Sequence, residues 1–388
     1  MPVTSKKIPA DLSNHALAPD PEKREPDPDP ARKLPIIELA GTPAERGRRH
    51  GRLLGREIRR LRRAILAYLA KLSLYVGAWP LYGAMLLAAR RFRTFIPPEY
   101  LEEMAALASG AEIGPGTVLL ISVLDDLANN KYPMCLALAA GEGHTLSGAY
   151  LMGRNLDYPV FTEIMLELQA LFVQEPERGL PVASLGWPAY LGVCTGMNRA
   201  GVALAQMTAM TTDHTFQGMP AALRFRQALE AESTVTGAAA HILSRPGTIG
   251  NNVMLCGPDQ ALVLELSAHR WALRWADAGL LTATTHYQSP EMAPVAQKFP
   301  PGPPFAQGSP YHFTEEYSLS RDWRLRQLVG ERKIEPADLQ KILADPHLCN
   351  RATVVGAAFA PAEPALWVAR GVQAPVTQGP FEKIKPWG

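Results

Sequence analysis

Cys135-Leu-Ala-Leu-Ala-Ala-Gly-Glu-Gly-His-Thr-Leu-Ser-Gly-Ala-Tyr-Leu-Met-Gly-Arg-Asn-Leu-Asp-Tyr158 brings a thiol, an arginine and a carboxylate together within one short segment. Alternating apolar residues lead into and out of a Gly-rich turn around Gly141 and Gly143. That pattern predicts a strand, a hairpin turn and a second strand, with the ends of both strands side by side. Cys135 would then stand beside Arg154 and Asp157. An adjacent guanidinium lowers a thiol pKa and enlarges the thiolate fraction, and a carboxylate three residues on can orient a proton-transfer partner.

Working outward, the chain has 388 residues, 47% of them apolar, and a formal net charge of +2. It can bury a sizeable core, and its charge balance gives no reason to expect nucleic acid as a partner. The four cysteines, Cys135, Cys194, Cys256 and Cys349, lack the tight spacing of a disulfide framework or a zinc site. Cys194, Cys256 and Cys349 read as small buried hydrophobes. No ligand spacing or phosphate-binding Gly loop implies a metal or organic cofactor. Residues 1–33 are rich in Pro and charge and read as a flexible tail. They contain no apolar run of the secretory type, so a cytoplasmic location is expected.

Leu72 to Ala89 is free of charge and flanked by Arg56, Arg59, Arg60, Arg62, Arg63 and Lys71 before it and Arg90, Arg91 and Arg93 after it. Its length fits a membrane span, but Pro80, Gly77 and Gly83 disfavour one continuous helix. Three arrangements fit: peripheral membrane contact through residues 56–93, core packing with solvated arginines, and a span. Elsewhere, helices are expected near 43–70, 80–93, 98–109 and 115–129. Strands are expected at 35–39, 135–140, 149–154, 164–174, 182–186, 190–196 and 201–207, with a helical patch at 220–244. Further strands follow at 252–256, 261–266, 271–275 and 280–284, helices at 321–329 and 336–343, and a closing hairpin at 353–359 and 365–369. Strand clusters alternating with helical blocks point to layered sheets and helices.

The Cys135 to Tyr158 segment resembles the N-terminal-nucleophile (Ntn) hydrolases of the penicillin acyltransferase, acid ceramidase and N-acylethanolamine amidase group, relatives of the bile-salt hydrolases. In these the chain is cut before a Cys, and Gly-Arg-Asn-x-Asp follows on the next strand. Gly41-Thr-Pro-Ala-Glu-Arg-Gly-Arg-Arg-His-Gly51, Pro98-Glu-Tyr-Leu-Glu-Glu-Met-Ala-Ala-Leu-Ala-Ser-Gly-Ala111, Gly196-Met-Asn-Arg-Ala-Gly-Val202 and Ser320-Arg321 with Arg324-Leu325 resemble further family segments, in the family's order. The resemblance implies an α+β, four-layer αββα fold with two stacked antiparallel sheets. It implies a helical pre-cut segment at 34–134 and a catalytic region at 135–388, separated by self-cleavage between Met134 and Cys135. It implies an amide hydrolase acting on a small-molecule N-acyl amide with an apolar acyl chain, through a thioester. Acyl transfer on the same scaffold and a non-catalytic lipid- or partner-binding member are the alternatives.

By that resemblance Cys135 is the nucleophile, Arg154 favours its thiolate, Asp157 holds the new amine, and Arg321 stands near the nucleophile. Thr208 and Thr285 occupy positions where relatives carry the asparagines of the oxyanion hole. Thr208 would serve through its backbone N–H. At the other position the chain reads Thr284-Thr285-His286-Tyr287, so Thr285 or His286 would have to supply the donor.

Overall fold

The computed structural model describes residues 33–72, 77–128, 135–298 and 314–388. Its centre is the hairpin expected from sequence: β2 (Leu136–Ala140) pairs antiparallel with β3 (Leu151–Asp157), Leu136 opposite Asn155 and Ala140 opposite Leu151. The alternation within β2 explains its two faces. Leu136 and Leu138 pack with the helices α9 (Glu315–Val329) and α10 (Pro336–Leu343), whereas Ala137 and Ala139 join the core between the sheets. Small side chains on the inner face let the second sheet approach. β2 and β3 belong to a six-stranded sheet ordered β11 (Leu280–Ala283), β2, β3, β12 (Thr353–Ala360), β13 (Ala365–Ala369) and β14 (Phe381–Ile384).

The second sheet has eight strands. In spatial order these are β1 (Ile36–Gly41), β4 (Ala170–Pro176), β5 (Val182–Gly186), β6 (Thr195–Asn198), β7 (Ala203–Thr208), β8 (Asn251–Cys256), β9 (Ala261–Leu266) and β10 (Trp271–Trp275). Leu262, Leu264 and Leu266 of β9 face the helices α7 (Ala221–Ala231) and α8 (Val235–Leu243), while Ala261 and Val263 face the other sheet. The layers are therefore α7/α8, the eight-stranded sheet, the six-stranded sheet and α9/α10: the αββα plan. Among the described strands every pairing is antiparallel except β1 with β4, which is parallel.

The remaining helices form a block beside the sheets: α1 (Pro43–Leu72), α2 (Ala78–Arg90), α3 (Pro98–Gly110), α4 (Pro115–Ser122), α5 (Leu124–Ala128) and α6 (Thr162–Leu168). The Gly41-Thr-Pro-Ala-Glu-Arg-Gly segment has a mechanical explanation. Thr42 caps α1: Glu45 N–H donates to its hydroxyl at 3.2 Å, and the Glu45 carboxylate accepts from Thr42 N–H at 2.8 Å. Side chains at Gly47 and Gly51 would strike the α3 backbone, with Cβ atoms 2.2 Å from the carbonyl oxygens of Glu103 and Leu107. Arg46 and Arg226 both bond buried Glu103 at 2.8 Å, which ties α1 and α3 to α7.

Several expectations are revised. Residues 162–168 form helix α6 rather than a strand, and Glu167 pairs with Arg60 of α1. Most of 190–196 is loop, with β6 starting only at Thr195, and the 115–129 helix breaks at Val123. The late helix begins at Glu315, and β14, short and polar, was not anticipated. In the apolar segment, α2 buries Tyr82 and Ala89 and exposes Trp79 and Leu87. No described helix is long and apolar enough to cross a membrane. The tail through residue 32 and the Met134 side of the expected cut lie outside the described residues.

Candidate active site

Cys135 immediately precedes β2 and points, like Ala137 and Ala139, into the space between the sheets. Its thiol opens on a cavity of about 100 Å³. The wall is mostly apolar, with Leu61 and Ile65 of α1, Phe161 and Met165 among its members. None of the described part of 72–89 lines it.

Alternation along β3 sends Arg154 and Asp157 to opposite faces of the sheet, so the two do not form the pair that their spacing suggests. Arg154, fully buried, faces the other sheet. Its Nη1 donates to the Cys194 carbonyl at 2.6 Å and to the Thr195 hydroxyl. Its charge also acts on the Cys135 thiol. Asp157 faces α9, and its partner is Arg321: Arg321 Nη1 donates to Asp157 Oδ2 at 2.7 Å. Asn350 Nδ2 (3.1 Å) and the Thr353 hydroxyl (2.6 Å) also donate to this carboxylate. A carboxylate offers roughly four acceptor directions, so three donors leave one for a further N–H.

Arg321 extends the arrangement to the nucleophile itself. Its Nη2 donates to the Cys135 carbonyl at 3.2 Å, and its guanidinium lies 4.5 Å from the Tyr317 ring centre. Cys135 is thus flanked by charge, with Arg154 toward the opposing sheet and Arg321–Asp157 toward the helices.

The electrostatics differ from the expectation of a depressed thiol. Burial pushes the Cys135 thiol up; Arg154 and Arg321 pull it down, and Asp157 adds to the rise. Arginine proximity is present, but desolvation outweighs it in the intact chain. Burial likewise raises Asp157 against the pull of Arg321, Thr353 and Asn350, and lowers Arg154.

Thr208 ends β7 and lines the Cys135 cavity, as does Gln206, whose Nε2 donates to Asn251 Oδ1 at 2.7 Å. Thr285 is buried but does not line the cavity. β11 runs antiparallel to β2 with Ala283 opposite Ala137, so two further residues of the same register would set Thr285 opposite Cys135. Instead the strand ends at Ala283. Thr285 lies with its backbone N and its hydroxyl each 3.1 Å from Ser318 Oγ, which also sits 2.8 Å from His286 Nδ1.

Sequence reasoning missed Asn350, Thr353, Gln206 and Asp125. Asn350 and Thr353 become visible only once β12 is known to pair with β3, with Thr353 opposite Asp157. Cys194, read as a small hydrophobe, is buried with its thiol pushed up to about 12, yet it too lines the cavity.

Residues 144–307 match the family described as Acyl-coenzyme A:6-aminopenicillanic acid acyl-transferase. An uncharacterised protein of Archaeoglobus fulgidus is 27% identical over 62% of this chain and 45% of its own length. Protein dcd1A of Dictyostelium discoideum is 24% identical over 56% of this chain and 55% of its own. The chain therefore spans about half the length of these curated relatives. Among solved structures, the Caenorhabditis elegans N-acylethanolamine-hydrolyzing acid amidase ortholog is 17% identical, with a TM-score of 0.44, over 59% of this chain and 94% of that one. A conjugated bile acid hydrolase from Clostridium perfringens is 14% identical, with a TM-score of 0.41, over 65% and 97%.

Proposed function

We propose that this chain, whose residues 144–307 match the acyl-coenzyme A:6-aminopenicillanic acid acyl-transferase family, cleaves a linear amide with Cys135. The observation that carries this reading is the thiol opening into an apolar cavity while Arg154, Asp157 and Arg321 converge on the same residue. The chain would first cut itself between Met134 and Cys135, leaving the 34–134 helical segment packed against the region beginning at Cys135.

The new α-amine titrates near about 8, roughly 2.5 units below a lysine, so a useful fraction is neutral at working pH. It takes the thiol proton as sulfur attacks the amide carbonyl, and it delivers that proton to the nitrogen as the C–N bond breaks. The acyl group stays on sulfur as a thioester. Water then attacks, the amine again carrying the proton, and the carboxylic acid leaves with the thiol restored. Freeing the amine also removes the peptide bond that fixes Cys135 in its buried setting, which favours a thiolate beside Arg154. Asp157 has one acceptor direction left for the ammonium. Thr208 and Gln206, which line the cavity, would face the developing oxyanion, and Thr285 would act through Ser318.

The acyl chain would lie along Leu61, Ile65, Phe161 and Met165. Exposed Trp79 and Leu87 beside Arg90 and Arg91 support peripheral contact of the 56–93 region with an anionic membrane. The test is release of a fluorogenic amine from N-acyl amides of graded chain length. Wild type should turn over and Cys135→Ala should not; equal rates in both would remove Cys135 from the chemistry.

A further inference from the structure

Asp125 on α5 is half-buried and lines the same cavity as Cys135, and its environment differs from that of the buried carboxylates. Asp126 beside it accepts from the Ala221 N–H at 3.0 Å and from the Thr248 hydroxyl. Glu103 has Arg46 and Arg226. Asp157 has Arg321, Asn350 and Thr353. Glu265 has Arg274 and the backbone N–H groups of Gln288 and Ser289. Asp125 has one long hydrogen bond, from the Tyr158 hydroxyl at 3.2 Å, and no ion pair among the described residues. An acid left this way in a mostly apolar wall costs folding energy that its own contacts do not offset.

Around it the cavity presents aromatic rings: Tyr158, Tyr190, Trp187 and Phe161. Trp187 and Tyr190 meet edge to face, with centroids 6.2 Å apart. A carboxylate set among aromatic faces is the chemistry that receives an ammonium group, by charge and by cation–π attraction. Tyr158 follows Asp157 directly, and its N–H donates to the Ala352 carbonyl at 2.7 Å, so the acid is registered to the reacting centre.

We propose that Asp125 is a specificity-determining residue that selects amide substrates carrying a protonated amine. This rests on the amide-hydrolase reading. Burial raises the Asp125 carboxyl, and a bound cation would pull it back down.

The test uses three amides with one acyl chain and released amines of equal length ending in ammonium, hydroxyl or methyl. Wild type should favour the ammonium compound over the methyl one by at least about tenfold in kcat/KM. Asp125→Asn should bring the ammonium and hydroxyl compounds level, and Asp125→Leu should favour the methyl compound. A denaturing gel and a thermal melt establish that each variant folds and cuts. Calorimetric binding of the ammonium and methyl compounds to Cys135→Ala gives a second readout that needs no turnover. If wild type hydrolyses none of the amides, the enzymatic reading fails, and the binding preference still decides the role of Asp125. Equal handling of the ammonium and methyl compounds, a preference for the hydroxyl compound, or selectivity unchanged in Asp125→Asn overturns the proposal.

Discussion

Replacing Arg321 by Met should be far more damaging than removing both members of the pair it forms. Arg321 and Asp157 are 0% and 2% exposed, and their contact is 2.7 Å. Breaking a buried pair by deleting one partner costs about 3–5 kcal/mol, because the other charge stays behind. Asp157 keeps the Thr353 and Asn350 donors, so the cost should sit near the lower end, about 3 kcal/mol. Asp157→Asn combined with Arg321→Met leaves no stranded charge and should recover most of that loss. Activity should not recover, because the Cys135 carbonyl has lost the Arg321 donor and the amine has lost its carboxylate. The assay is a double-mutant cycle read by urea unfolding and by amide turnover. A single Arg321→Met that costs under about 1 kcal/mol, the scale of an exposed pair, would refute the buried-pair reasoning. So would a double variant as active as wild type.

In Cys135 protein isolated before it cuts itself, iodoacetamide labelling of Cys135 should increase as the pH passes the usual thiol value of 9.0, since burial holds the proton on. Arg154→Met should slow labelling and Asp157→Asn should speed it, opposite signs that a purely steric site would not give. Asp126 keeps its proton to about 7 when folded but ionises near 3.8 when unfolded, so its stabilisation is lost as pH rises through that window, on the order of 4 kcal/mol in all. His50 runs the other way: its ring stays neutral down to about 4 in the fold, and the stability it contributes above 6.5 is lost as pH falls. The thermal midpoint of Asp126→Asn relative to wild type should therefore climb from pH 4 to pH 7, and a flat difference would contradict the assignment. Ile65→Trp, which fills the cavity wall, should raise KM for long acyl chains by about tenfold or more while sparing acetyl amides.

The hairpin and the layers were legible because strand alternation and the Gly-rich turn are local. Leu136 and Leu138 against Ala137 and Ala139 already separate a helix-facing side from a sheet-facing side. The helix at 162–168 was not legible, since its apolar residues also alternate, and its packing against α1 through Arg60 is a long-range event. Cys135, Arg154, Asp157 and Arg321 lie near one another in the fold, but their pairing differs from the one the sequence suggests. The spacing set Arg154 beside Asp157, and only the pleat reveals that three residues along a strand point to opposite faces. Asn350 and Thr353 reach Asp157 from far along the chain, so nothing near the motif marks them. Thiol ionisation was misjudged for a similar reason: a sequence shows a neighbouring charge but not the burial that outweighs it.

Intact-mass and N-terminal analysis of purified wild type and Cys135→Ala, on the same denaturing gel, tests the central claim most directly. The account predicts two wild-type fragments, one ending at Met134 and one beginning with Cys135, and a single uncut chain for the variant. A wild-type protein that stays whole yet hydrolyses amides, or a Cys135→Ala protein cut at the same peptide bond, would contradict it.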